Sequence, residues 1–236
     1  MRWEEIWDTA LRIQSLFIHA EWPSDIAATL RTRVGSEFAG VSVVVRSSAI
    51  GEDSARASFA CLNESFVNFL GISSILEHIK LVWASLWSDR AMLYRNEVGL
   101  DVNASRMAVI VQELVEGQKS GVVFGTGPTD ESKAVIEAVH GLNQGLVDGT
   151  IQPDRWMLTR ATATVTSHAS AAREKMVVRK ARGVAVVPLP RQKRSRSPLD
   201  ELEIHEVFRA ARALEGLFGS PQDVEWTYQG AQLHIL

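Results

Sequence analysis

A single cysteine, Cys61, stands in a chain of 236 residues, so no intrachain disulfide can form. That excludes a disulfide-stapled scaffold and fits a reducing compartment. No apolar run approaches the roughly 20 residues needed to span a bilayer, so no membrane partner is expected. An excess of charge is missing too. The net charge is -3 and the charged fraction 22%, which gives no reason to expect a nucleic-acid or anionic-membrane partner. The opening Met1-Arg2-Trp3-Glu4-Glu5 is too acidic and polar for a signal peptide, and the expectation is a cytoplasmic protein. What is present is apolar material. At 46% hydrophobic residues, the chain can build one large domain or two small lobes around proper cores.

Periodicity locates the elements. Ile6, Ala10, Ile13, Leu16 and Phe17 predict a helix over 4–18 that ends before Pro23, and a second helix is expected from Ser24 to about Val34. The β-branched run Val41-Ser42-Val43-Val44-Val45 predicts a short strand. It would end at Arg46, a position where sites in α/β proteins sit. Ile75, Ile79, Val82, Leu86 and Leu93 predict one long helix, or two broken near Ser88. Met107 to Val115 reads as a buried strand, Gly121–Phe124 and Ala134–Ala138 as further strands, and 155–158 and 175–178 as weaker ones. The stretch 197–219 is the clearest helix. Ser197 can cap it, Pro198 suits its first position, Asp200 offers an acidic capping box, and Gly219 suits a left-handed end. Residues 224–226 and 232–236 resemble a hairpin around Gln229-Gly230. Mixed strands and helices without a repeat predict an α+β or α/β protein of two lobes, 1–105 and 106–236.

Two segments could carry chemistry. Arg46-Ser47-Ser48-Ala49, continuing through Gly51-Glu52-Asp53-Ser54, joins a planar guanidinium to small residues whose backbone can approach a ligand closely. It is either a phosphate loop or a plain Ser/Gly connection. Asp223-Val224-Glu225 places two carboxylates on one side of a strand. They either share a hard cation such as Mg²⁺ or form a solvated edge. The basic run 191–196 reads as a solvated loop, with a phosphate- or partner-binding patch as the alternative.

Read together and in order, several segments resemble the ATP-binding domain shared by phosphoenolpyruvate synthases, pyruvate phosphate dikinases, glucan water dikinases and rifampicin phosphotransferases. They are Arg46-Ser47-Ser48-Ala49, Gly51-Glu52-Asp53-Ser54, Ala57-Ser58-Phe59-Ala60, Trp83-Ala84-Ser85-Leu86, Val111-Gln112-Glu113-Leu114-Val115, Gly141-Leu142, Pro153-Asp154 and Gly219-Ser220-Pro221-Gln222-Asp223-Val224-Glu225-Trp226. The match runs over roughly 41–236. The resemblance implies an ATP-grasp-like fold and Mg-ATP as the ligand. It implies that Arg46 holds the ATP phosphates and that Ser65 and the backbone around Cys61 line the phosphate loop. Gln112 and the hinge Glu113-Leu114-Val115 would sit beside the adenine. Asp223 and Glu225 would bind the metal, with Arg46 and Glu225 central to catalysis. The family passes a phosphoryl group from ATP to a histidine on a separate swivelling domain, which delivers it to an acceptor-binding domain.

The chain departs from the pattern in places. Cys61 replaces a glycine, and Asn143-Gln144 replaces Gly-Glu. The family's Lys-Gly-x-Asn-Leu segment and its Gln-x-Arg are not found, and the expectation is a fragment cut short at both ends. These departures motivate an alternative, a degenerate non-catalytic interaction module. Thr166-Ser167-His168-Ala169 echoes the core of the family's phosphohistidine motif but lacks its preceding Gly-Gly, so His168 is expected to be an ordinary loop histidine. The other five histidines stand at no metal-ligand spacing.

Overall fold

The structure is a computed structural model, and it describes residues 3–49, 53–54, 57–58, 64–99 and 105–236. The chain forms two compact units, residues 1–114 with 181–183, and residues 115–180 with 184–236. It is a mixed α+β protein built from antiparallel sheets and packed helices.

The first unit opens with two helices, α1 (Trp3–His19) and α2 (Ser24–Glu37). Ile6 and Ala10 are the buried positions of α1, while Leu16, expected on the same face, is 70% exposed. Strand β1 (Val43–Ala49) follows, then the two-residue strands β2 (Asp53–Ser54) and β3 (Ala57–Ser58), which pair with each other. Strand β4 (Ser65–Phe69) leads to α3 (Ile72–Ser85) and α4 (Asp89–Glu97). The helix break lies where expected, because the Ser88 hydroxyl accepts from the Ala91 N–H at 3.2 Å and caps α4. Strand β5 (Met107–Glu113) completes a three-stranded sheet in the order β4-β1-β5. It pairs with β1 from Val43↔Glu113 to Ala49↔Met107, which binds it to the first unit.

One face of this sheet is apolar. Val43 and Val45 are fully buried against Ile75, Ile79 and Val82 of α3. β4 carries a bulge opposite Val43/Val44, and the extra residue there is Asn68. Its φ of 69° is a conformation asparagine tolerates better than most residues. The buried Asn68 amide donates to the Gly183 carbonyl at 2.6 Å, and the Gly183 N–H donates back to the Asn68 carbonyl at 3.1 Å. These bonds bring 181–183 into the first unit.

The second unit is organised by β6 (Lys119–Phe124), β7 (Lys133–His140), β8 (Asp154–Thr159) and β9 (Val165–Ala169). The short helix α5 (Gln144–Val147) lies between β7 and β8. A separate hairpin, β10 (Lys175–Arg179) with β11 (Val184–Pro188), is followed by the single turn α6 (Arg191–Arg194). Then come α7 (Glu201–Phe218), β12 (Asp223–Gln229) and β13 (Gln232–Ile235). The large sheet has six strands in the order β13-β12-β6-β7-β8-β9, antiparallel throughout.

Its two faces differ in kind. On one, Val224, Trp226 and Tyr228 of β12, Ile136 of β7 and Leu158 of β8 pack against Ile204, Val207, Phe208 and Ala211 of α7. Gly121 belongs here by necessity. A Cβ on it would lie 2.0 Å from the Glu137 carbonyl oxygen and 2.4 Å from the Trp226 ring. The opposite face carries a smaller apolar cluster at one end, where Val139, Leu142 and Ile151 meet Val177 of β10.

Helix α7 starts later than its sequence suggests. Asp200, not Ser197, is the N-cap, and its carboxylate accepts from the Glu203 N–H at 2.9 Å while Glu203 accepts from the Asp200 N–H at 3.0 Å. The Ser197 hydroxyl instead donates to Asp154 at 3.3 Å. Gly219 ends the helix at φ 74°. Among the described residues, no helix is long and apolar enough to cross a membrane.

Candidate functional site

In the first unit, antiparallel pairing brings three of the expected residues onto one face. Arg46 stands opposite Ser65 on β4 and Ile110 on β5, and its neighbour Val44 stands opposite Gln112. Directly opposed residues point the same way and alternate residues share a side. Arg46, Ser65 and Gln112 therefore lie on the face away from α3. Arg46 is half-buried. It does not end its strand, as the sequence suggested, but lies inside it, because β5 goes on pairing with β1 through Ser47, Ser48 and Ala49. Glu113 is opposite Val43 and so lies on the other side of the sheet. The Leu114 N–H donates to the Ser42 carbonyl at 2.8 Å. Val115 opens the second unit, and its carbonyl accepts from the Gly117 N–H at 3.0 Å. Cys61 lies outside the described residues.

In the second unit, β12 places Asp223 and Glu225 on the face opposite α7, because Val224, Trp226 and Tyr228 are committed to the core. Asp223 is exposed and Glu225 half-buried. Paired across the sheet, Glu225 meets Val122, Val122 meets Glu137, and Glu137 meets Arg155. Glu137 and Arg155 form an ion pair, with Arg155 Nε donating to the carboxylate at 2.7 Å. Two neighbouring carboxylates suit a hard cation. Among the described residues no third His, Cys, Asp or Glu completes a protein cage around one. A cation held by this pair would draw its remaining oxygens from ligand or water, which is how Mg²⁺ is commonly bound.

The same unit contains a cavity of about 340 Å³. Leu142, Met176, Val177 and Val178 supply apolar wall, and Gly117 and Gly141 let backbone line it. Gly141 has φ 87° and lies so close to β10 that a Cβ would come within 2.3 Å of the Val177 carbonyl. At the rim, Arg179 donates to Glu116 at 3.2 Å. Gln118, Lys193 and Gln229 complete the lining. Glu116 directly follows the expected adenine hinge, and Gln229 lies on the same strand as Glu225.

A second polar centre escaped the sequence. Asp154, with its side chain wholly shielded, accepts from Arg173 Nε at 2.8 Å and from the Ala171 N–H at 3.2 Å, and lies 2.8 Å from His168 Nε2. Burial alone pushes this carboxyl up, but the hydrogen bonds from Arg173, His168 and Ala171 together hold it below the usual carboxylate range. His168 lies in β9, not in a loop, and stacks on Trp156 at 4.5 Å and 8°. The partners come from 14 to 43 positions away, so spacing gave no signal of them. Likewise the Tyr228 hydroxyl donates to Glu206 at 2.7 Å, and burial with that carboxylate raises its pKa.

Comparison with known proteins decides the family. The family described as "Pyruvate phosphate dikinase, AMP/ATP-binding domain" matches residues 1–236. The chain belongs to this family. It is 32% identical over 233 residues to a probable phosphoenolpyruvate synthase of Methanocaldococcus jannaschii, covering 95% of this chain and 20% of that protein. It is 32% identical over 232 residues to the phosphoenolpyruvate synthase of Pyrococcus furiosus, covering 92% of this chain and 28% of the relative. A rifampicin phosphotransferase of Streptomyces sviceus is 33% identical over 216 residues, covering 91% and 25%. The chain thus spans between a fifth and somewhat more than a quarter of these relatives. Membership carries an AMP/ATP-binding domain with it. The resemblance read from the sequence holds at the level of the family.

Proposed function

We propose that this chain is the Mg-ATP-binding, ATP-grasp-like domain of a phosphotransferase related to phosphoenolpyruvate synthase and pyruvate phosphate dikinase. The observation that carries this reading is the spacing along β12. Gln229 lines the cavity, and Glu225 lies four residues back on the same strand, about 13 Å at 3.3 Å per residue. That separation suits a nucleotide whose base occupies the cavity and whose terminal phosphates reach a cation on Asp223 and Glu225. The cation would supply charge neutralisation, and the two carboxylates would orient it.

Arg46 is proposed to bind phosphate oxygens through its guanidinium, and Ser65 to contribute a hydroxyl beside it. Gln112 and the Glu113-Leu114-Val115 hinge are proposed to recognise the adenine, and Cys61 to stand in the phosphate loop. In the transfer, a histidine nitrogen of another domain forms a P–N bond as a phosphoanhydride P–O bond breaks. The released charge stays on the nucleotide. That the chain spans a minor fraction of its relatives supports placing the histidine and the acceptor site in other polypeptide.

Isothermal titration with ATP, with and without Mg²⁺, tests the reading. Binding that strengthens with Mg²⁺, and loses that dependence in Glu225→Gln, is the expected result. Absence of binding at millimolar nucleotide would favour a non-catalytic interaction module. So would unchanged function of the protein in Arg46→Ala and Glu225→Ala.

A further inference from the structure

The cavity is not electrically neutral. Glu116 and Arg179 at its rim are an ion pair and largely cancel each other. Lys193, on the single turn α6, also lines the cavity, is half-buried, and forms no ion pair among the described residues. Several other cations of the unit are in ion pairs: Lys119 with Glu203, Arg155 with Glu137, Arg160 with Glu215 and Arg173 with Asp154. The sequence around Lys193 adds to the asymmetry. Residues 173–196 hold nine of the chain's 25 basic residues and one of its 28 acidic residues, Glu174. His140, the titratable group whose pKa responds to Lys193, is pushed down mainly by its own burial, so it does not offset the lysine charge.

A cation with no ion-pair partner among the described residues, beside a cavity with both apolar and polar walls, is a binding group for an anion. The cavity is too large for an inorganic ion alone, and its wall of Leu142, Met176 and Val178 favours a flat apolar body. We infer that Lys193 is a ligand-binding residue that pairs with the phosphate attached directly to the nucleoside when a nucleotide occupies the cavity. The inference rests on the proposed function, and it adds a residue outside the expected phosphate-binding set. The distal phosphates belong to the other end of β12, so Lys193 distinguishes a nucleotide from a nucleoside.

The experiment compares AMP with adenosine by calorimetry on the full chain, for the unaltered protein, Lys193→Met, Lys193→Arg and Arg191→Gln. Arg191 is exposed, belongs to the same turn and does not line the cavity. Lys193→Met is expected to weaken AMP about tenfold or more, the worth of one charge-assisted hydrogen bond. Adenosine should bind unchanged. Lys193→Arg should restore most of the AMP affinity, and Arg191→Gln should leave both ligands unaffected. Equal losses for AMP and adenosine, or an equal effect of Arg191→Gln, would overturn the assignment. Binding of adenosine by the unaltered chain tests the cavity itself, and a chain that binds neither ligand removes the proposed function along with the inference.

Discussion

Asp154 sits at the start of β8 with no solvent contact on its side chain, surrounded by Arg173, His168 and the Ala171 N–H. Removing one partner of a buried charged pair costs more than the pair contributes, because the other charge is left uncompensated. Arg173 is only 12% exposed on its side chain. Asp154→Asn, which keeps the shape, is expected to destabilise the second unit by about 3–5 kcal/mol, measured by denaturant unfolding. The effect depends on pH with a definite sign. The folded pKa lies below the unfolded value, so the carboxylate's contribution is complete above that value, about 3.9. It disappears as pH falls through the folded pKa. The gap between the native chain and the Asn variant should therefore be constant above about pH 5 and close on acidification. A gap that stayed constant into strong acid would count against this account. None of this network was legible in the sequence, where Pro153-Asp154 was only one segment of a family match. The sequence singled out Arg46 but not its setting, since only the pairing β1↔β4 and β1↔β5 shows that Ser65 and Gln112 share its face.

The elements most readable in advance were those whose pattern is enforced by one buried face. Helix α7 buries Ile204, Val207, Phe208 and Ala211 at helical spacing, and its residues announced it. Its start was misplaced because serine and aspartate both cap well. The chain uses Asp200, leaving Ser197 to serve Asp154. Asp200→Ala is thus expected to cost about 1 kcal/mol in stability. Ser197→Ala should leave the helix end unaltered, as judged by amide exchange in its first turn. Strand β5 was expected to be buried, but it is an edge of the three-stranded sheet, with Ile110 38% exposed. Its continuous apolar run gave no alternation from which to infer this. Strand β9 was missed because Val165-Thr166-Ser167-His168-Ala169 is mostly polar and its face is exposed at the sheet edge. Gly121, inside β6, reads as a weak point in a strand. Against the Glu137 carbonyl and Trp226 it is required, and Gly121→Ala is expected to destabilise by about 3 kcal/mol or more.

At the scale of the molecule, each unit has its own core. Val43, Val45, Ile75, Ile79 and Val82 serve the first, and the residues packed on α7 serve the second. Truncation of either core should be felt locally. Ile79→Ala is expected to cost about 2–5 kcal/mol and to lower hydrogen-exchange protection in β1, β4 and β5 more than in the six-stranded sheet. Uniform loss of protection would indicate a single cooperative core instead. Composition and mixed periodicity suggested lobes of 1–105 and 106–236; the compact units divide at Leu114/Val115, which depends on which strands β5 pairs with.

The Asn68–Gly183 bonds have a consequence for the order in which the protein is made. The first unit includes residues 181–183, so it cannot be finished when residue 114 leaves the ribosome. At about 5–20 residues per second, several seconds of synthesis separate the two points. During that interval the bulge at Asn68 lacks its partner, while β6 through β10 are already emerging. The nascent chain must hold an N-terminal layer incomplete until residues 181–183, encoded far downstream, arrive to close it.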